Sequence, residues 1–187
     1  MESKKFISKD LFLTPEENQS VYASCKANQN HLTENYLFEE KTLEQCLSGT
    51  DFKEKCIKFA SEHFDLSSMI GYEYWHNFNA PPTFSQQDWH LDKDEVLYHY
   101  RHGGISLPLC TIIYYPFAEA EEGGELIFRE FSIEVHRPIS NEIVCFSSGI
   151  WHSVNGCAQE RVSVVICPWH YKVEKFIPKR HMRKNLF

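Results

Sequence analysis

Residues 143 to 166 read IVCFSSGIWHSVNGCAQERVSVVI. Two apolar runs, Ile143 to Phe146 and Val162 to Ile166, are short and rich in β-branched residues, so they read as buried strands. Between them lie a turn of small residues and a third short strand, Trp151 to Val154. Two residues interrupt the apolar pattern. One is His152. The other is Arg161, which opens the last run nine residues later. An arginine at the end of so apolar a strand cannot be buried alone without a heavy desolvation penalty. It needs an anion: either a bound carboxylate, which suits its forked donors, or an acidic side chain of the chain itself, such as Glu125. Ser163 shares its side of the strand and adds a hydroxyl donor.

Working outward, short strands continue upstream. Met69 to Phe78 is aromatic-rich and broken by Pro81-Pro82; Phe84 to Leu91 follows. Lys93 to Leu109, with Gly103-Gly104 and Pro108, reads as a long irregular stretch. Thr111 to Tyr115 is a strong strand that Pro116 should stop. An acidic turn, Glu119 to Glu122, leads through Gly123-Gly124 to Glu125–Phe128, and Ser132–His136 precedes a turn into the quoted segment. Short strands at this spacing indicate an all-β sandwich or barrel. The first third reads as helical. Thr14-Pro15-Glu16-Glu17 is an N-cap, a proline and an acidic first turn. Thr42 caps Leu43–Leu47, which Gly49 ends. Asp51 opens a helix with Phe52, Cys56, Phe59, Ala60 and Phe64 on one face. The expectation is one domain over 1–187: helical support in 1–66, a β core in 67–170 and a basic tail in 171–187.

Composition narrows the class. The chain has 42% hydrophobic, 24% charged and 14% aromatic residues and a formal net charge of -7, a soluble globular profile that argues against nucleic-acid binding. The tail, with Lys172, Lys175, Lys179, Arg180, Arg183 and Lys184 against Glu174, reads as a solvated basic run. Seven dispersed cysteines form no CxxC pair, which argues against a zinc ribbon, and their odd number in a chain this long argues against a secreted disulfide framework. With no signal-like apolar core and no run long enough to span a bilayer, the expected location is cytoplasmic.

The chemistry starts at His90-Leu91-Asp92. Residues two apart on a strand point the same way, so His90 and Asp92 can aim into the barrel together, a pair that suits iron(II), manganese or zinc. With His152 they compose a two-histidine, one-carboxylate facial triad, leaving three coordination positions open. A 2-oxoacid can chelate two of these and dioxygen can take the third. Ile113, Leu126, Val154 and Val165 would wall the site, and Trp89, Trp151 and Tyr115 would stand near the metal.

His90-Leu91-Asp92, Tyr114-Tyr115, Glu122-Gly123-Gly124-Glu125-Leu126, His152, Arg161-Val162-Ser163 and Trp169, in that order over roughly Tyr72 to Trp169, resemble the 2-oxoglutarate- and iron(II)-dependent oxygenases, in particular the prolyl-hydroxylase-like branch. The resemblance implies a double-stranded β-helix (a jelly-roll, cupin-like barrel) with helices packed on its major sheet. It implies His90, Asp92 and His152 as iron ligands and Arg161 as the partner of the distal 2-oxoglutarate carboxylate. Tyr115 would add a hydrogen bond to that carboxylate, and Ser163 matches the serine of an RxS pattern. Thr111, Ile113 and Tyr115 alternate onto one face, with Tyr114 pointing the other way. The implied reaction is hydroxylation of an unactivated C–H bond with decarboxylation of 2-oxoglutarate to succinate, using O2 and with ascorbate as reductant. A carboxylate at Asp92 separates the chain from halogenating relatives, which have a small residue there. The interval between Asp92 and the Tyr114-Tyr115 strand is longer than in compact prolyl hydroxylases. It holds Tyr98, His99, Tyr100, Arg101 and His102, which reads as a lid or as a plain surface loop. The substrate is expected to be an amino acid or other small molecule, the alternatives being a prolyl or other peptidyl residue, or a cupin-type metal protein without 2-oxoglutarate.

Overall fold

The computed structural model describes residues 5–28, 37–79, 86–100, 104–119, 123–130 and 135–174. In chain order its elements are β1 (Phe6–Lys9), α1 (Pro15–Ala27), β2 (Leu37–Glu40), α2 (Leu43–Ser48), α3 (Phe52–Ser61), β3 (Gly71–Asn79), β4 (Gln87–His90), α4 (Glu95–Tyr100), β5 (Cys110–Ala118), β6 (Leu126–Phe128), β7 (Val135–His136), β8 (Glu142–Ser147), β9 (His152–Val154) and β10 (Arg161–Trp169). The strands form two antiparallel sheets: a major one in the order β1-β8-β5-β10-β3-β2 and a minor one in the order β4-β9-β6-β7. This is a mainly β jelly roll, the architecture that the family resemblance implies and a form of the sandwich expected from the short strands, with α1 and α3 packed on the major sheet.

Strand periodicity sorts side chains onto the two faces of the major sheet. Ile112, Tyr114, Val162, Val164 and Ile166 face outward and are covered by Val21 and Cys25 of α1 and Cys56, Ile57 and Ala60 of α3. Ile113, Tyr115, Val165, Cys167 and Trp169 face inward and meet Leu126, Phe128 and Val154 of the minor sheet. Helices α1, α2 and α3 are each started by a reciprocal capping box: Thr14 with Glu17, Thr42 with Gln45 and Asp51 with Glu54. Such caps stabilise by about 1 kcal/mol each. The Tyr114 hydroxyl bonds to Asn18 Oδ1 at 2.6 Å, tying α1 to the sheet. All seven cysteines are buried and free. No helix among the described residues is long and apolar enough to cross a membrane.

Several boundaries differ from the sequence expectation for physical reasons. The N-terminal third also contributes β1 and β2, which occupy the two edges of the major sheet. Pro116 does not stop its strand. β5 runs to Ala118, and Pro116 lies where Tyr114 pairs Val164 and Phe117 pairs Val162. There two residues of β5 oppose one of β10, a bulge that tolerates a missing N–H donor. The stretch after Asp92 is not wholly irregular: α4 forms there, with Asp94 Oδ1 accepting from the Leu97 N–H at 2.8 Å. Gly49 does end α2, but with φ at −85°. A Cβ there would meet the Glu54 carboxylate, so any larger residue would have to displace that side chain from its capping position. Pro81-Pro82, Phe84, the Glu121-Glu122 part of the acidic turn, Arg101 to Gly103, Ser132 and the tail from Lys175 lie outside the described residues.

Candidate metal and anion site

Three elements bring the expected ligands together. β4 pairs with β9 so that His90 and His152 are cross-strand partners, and their rings lie 4.2 Å apart, tilted by 56°. Asp92 follows two residues after His90 and turns back over the same side. One ligand atom from each of His90, Asp92 and His152 lies within 4.8 Å of the other two. His152 Nε2 is 3.7 Å from Asp92 Oδ2, somewhat wider than the roughly 3 Å edge that metal–ligand bonds of about 2.1 Å would set. A small closing movement would seat one ion. Among the described residues no other group of His, Cys, Asp and Glu gathers in this way. His99 instead pairs with Glu95 at 3.1 Å on an exposed part of α4.

The surroundings suit neutral imidazole ligands. His90 Nδ1 is 2.7 Å from the Asp88 carbonyl, and His152 Nδ1 is 3.0 Å from the Ile150 carbonyl. A carbonyl only accepts, so each Nδ1 carries the proton and each Nε2 lone pair is left for a metal. Burial holds the His152 pKa below its ordinary value, with His90 adding to the effect and Asp92 opposing it. Phe146 sets its ring edge-on to His152, with centroids 5.0 Å apart. Thr111 Oγ1 donates to Asp92 Oδ2 at 2.6 Å, fixing the carboxylate's rotation. Strand alternation places Thr111 on the inward face with Ile113 and Tyr115. This hydrogen bond adds an orienting role that depends on a contact between residues 19 apart in the chain, which no local pattern reveals.

Arg161 is buried at the end of β10. Its Nη1 donates to the Gly124 carbonyl at 2.9 Å. No carboxylate among the described residues pairs with it: the acidic candidate, Glu125, is engaged by Arg137 at 2.9 Å and by Asn155 at 3.1 Å. Gly123 shapes this corner. Its φ is +81°, and a Cβ there would lie 2.1 Å from the Gly156 carbonyl oxygen, so only glycine lets the chain bring the Gly124 carbonyl to Arg161. Tyr115 faces inward and is buried, which pushes its phenol up to about 12 against the pull of the Arg161 charge. The Tyr115 and Ser163 hydroxyls have no hydrogen-bond partner among the described residues. The corner therefore offers spare guanidinium and hydroxyl donors, which is what a carboxylate requires.

Ile113, Leu126, Val154 and Val165 line the interior between the sheets as expected. Trp89 and Trp151 are partly exposed rather than enclosed between the sheets. Each neighbours a triad histidine in sequence, so strand alternation sends it outward, where the Arg129 guanidinium sits 4.4 Å from one ring and 5.6 Å from the other.

The fold recurs in solved prolyl hydroxylases. A Pseudomonas putida prolyl-4-hydroxylase superposes with a TM-score of 0.62 at 13% identity, over 89% of this chain and 88% of that one. A viral collagen prolyl hydroxylase from Paramecium Bursaria Chlorella virus-1, in its 2OG complex, gives 0.58 at 15% identity over 89% and 96%. A Phytophthora capsici prolyl 4-hydroxylase gives 0.55 at 14% identity over 87% of this chain and 58% of its own. No protein-family model and no curated protein sequence matches the chain. At these identities the likeness is one of fold, and the chemistry must be read from the residues.

Proposed function

We propose that the protein is an iron(II)- and 2-oxoglutarate-dependent dioxygenase that hydroxylates an unactivated C–H bond of an organic substrate. The observation that carries this reading is the buried Arg161 without a carboxylate partner, in the same barrel as the His90, Asp92 and His152 cluster. A cupin-type metal protein would explain the cluster but would leave that arginine without a purpose.

His90, Asp92 and His152 would hold the iron through two Nε2 atoms and one carboxylate oxygen, and Thr111 keeps that oxygen aimed. Bound there, iron supplies the oxidising chemistry and couples it to decarboxylation of 2-oxoglutarate to succinate. Arg161, Tyr115 and Ser163 would grip the distal carboxylate of the co-substrate and so orient its keto-acid end toward the ligands. Ile113, Leu126, Val154 and Val165 exclude water from the space between the sheets. Residues 67–170 would form the catalytic barrel of a single domain, with 1–66 as its support. Dioxygen would be the oxidant, and ascorbate would keep the iron reduced.

For the substrate, a free amino acid or other small molecule is the first reading. The second is a prolyl or other peptidyl residue, favoured by the prolyl hydroxylases that share the fold. The test is succinate formation from 2-oxoglutarate by metal-stripped protein resupplied with iron(II), with amino acids and proline-containing peptides as separate arms. Succinate that depends on iron, and that Asp92→Ala abolishes, supports the reading. Iron binding with no turnover of 2-oxoglutarate under any arm would refute it.

A further inference from the structure

Glu73 has no role in the scheme above, yet it faces the same interior. Tyr72, its neighbour on β3, packs under the helices, while Trp75, two residues on, packs against the inter-sheet core. Glu73 shares Trp75's face. Across the sheet it pairs with Cys167 of β10. Extending the β5–β10 register by one residue from Ile112↔Ile166 sets Cys167 beside Thr111, whose hydroxyl holds Asp92. Glu73 therefore stands on the triad's own row, two strand spacings or roughly 10 Å away from Thr111 along the hydrogen-bonding direction. Arg161 lies six residues back along β10, roughly 20 Å from that row, at the opposite end of the site.

The surroundings of Glu73 are acidic and aromatic. Its carboxyl is pushed up to about 7, first by burial and then by Asp92, Asp94 and Glu95, with only the Trp169 indole opposing. No cation among the described residues forms an ion pair with it. Lys93 is held by Glu95 at 2.7 Å and Lys172 by Glu40. The Trp169 indole N–H is buried and completes no hydrogen bond, although it lies close enough to the Glu73 carboxyl to lower its pKa. Tyr171 stacks edge-on to Trp169 at 5.5 Å and donates to Asp94 Oδ2 at 2.9 Å. A carboxyl with no ion-pair partner among the described residues, beside the Trp169 indole and on the same strand face as Trp75, is the chemistry that recognises an organic ammonium group.

We propose that Glu73 is the substrate-recognition residue and that it takes a protonated amine, borne on a short aliphatic chain whose carbons would then lie toward the triad. As a statement about substrate this rests on the dioxygenase reading; as a statement about a cation site it does not. The amine could belong to a free metabolite or to a lysyl side chain in a peptide, and the same site chemistry serves both.

The test uses full-length protein loaded with zinc(II), as a diamagnetic stand-in for iron(II), and with 2-oxoglutarate. The indole N–H resonance of Trp169, assigned by its loss in Trp169→Phe, is followed during titration with n-butylamine, with neutral butyramide and with Nα-acetyl-lysine amide. The amines should move this resonance and butyramide should not. Glu73→Gln should weaken amine binding by about tenfold or more, the equivalent of at least about 1.4 kcal/mol, while the Trp89 and Trp151 indole resonances keep native positions. If Glu73→Gln does not fold, Glu73→Asp replaces it and should weaken binding in the same direction. The stronger of the two amine responses identifies a free or a peptide-borne source. Equal responses to amine and butyramide, unchanged affinity in the variant, or an unmoved Trp169 resonance would each overturn the proposal. Failure of zinc or 2-oxoglutarate to bind would instead count against the dioxygenase reading.

Discussion

Replacing Arg161 with leucine separates a binding role from a structural one, because the two predict opposite outcomes. Arg161 is about 5% exposed and keeps one internal hydrogen bond, to the Gly124 carbonyl at 2.9 Å. Losing that bond costs about 1 kcal/mol, and removing a buried charge that has no internal counter-ion returns a comparable amount. The ligand-free fold should therefore change by no more than about 1 kcal/mol in urea denaturation. The co-substrate should respond very differently. A guanidinium paired with a buried carboxylate is worth about 2–5 kcal/mol when one partner is truncated, so the dissociation constant of 2-oxoglutarate should rise by roughly 30-fold to several thousandfold. Calorimetric titration of the zinc(II)-loaded protein measures this without turnover. Arg161→Lys should recover part of the loss, since it restores the charge without the fork. The reasoning fails if Arg161→Leu binds 2-oxoglutarate as the unaltered protein does, or if it unfolds the protein while affinity in the folded fraction is kept.

Thr111→Val keeps the shape of β5 but removes the donor to Asp92 Oδ2; metal affinity, read by competition with a chelator, should fall by about 10- to 100-fold. Gly123→Ala forces a Cβ toward the Gly156 carbonyl at a φ of +81°, and should destabilise by more than about 1 kcal/mol and loosen 2-oxoglutarate as the Gly124 carbonyl shifts, checked by thermal melts with and without ligand. Glu73 binds its proton more tightly folded than unfolded, with a pKa rising from 4.5 to about 7. Its contribution to stability is therefore complete below about pH 4.5 and is lost as pH rises toward 7, a change of roughly 3 kcal/mol at most. Denaturation at pH 5 and pH 8 should show that Glu73→Gln gains stability over the unaltered protein at pH 8 and much less at pH 5.

Much of the barrel was legible because its strands alternate. The runs ending at Phe146 and Ile166 announce themselves as short, apolar and β-branched, and the two-residue repeat of strand geometry sends Tyr115 inward and Tyr114 to the helices. The same alternation, applied to Trp89 and Trp151, would have placed them outside, where they hold Arg129. Four-residue edge strands such as β1 and β2 carry too little pattern to announce themselves, and Pro116 was a misleading signal because the bulge that accommodates it is a property of the β5–β10 pairing. The partners of the site, Thr111 on Asp92 and Glu73 on the triad's row, depend on cross-strand register. Sequence spacing within one strand does not encode that register.

The most direct measurement is the anaerobic visible spectrum of the metal-free protein reconstituted with iron(II) and then with 2-oxoglutarate. A 2-oxoacid chelated on a facial-triad iron is expected to absorb weakly in the visible through charge transfer from metal to ligand. The account predicts a band that needs both additions, disappears in His152→Ala, and demands far more 2-oxoglutarate in Arg161→Leu. Bound iron with no band at saturating 2-oxoglutarate would contradict it and leave a metal-binding barrel of another kind.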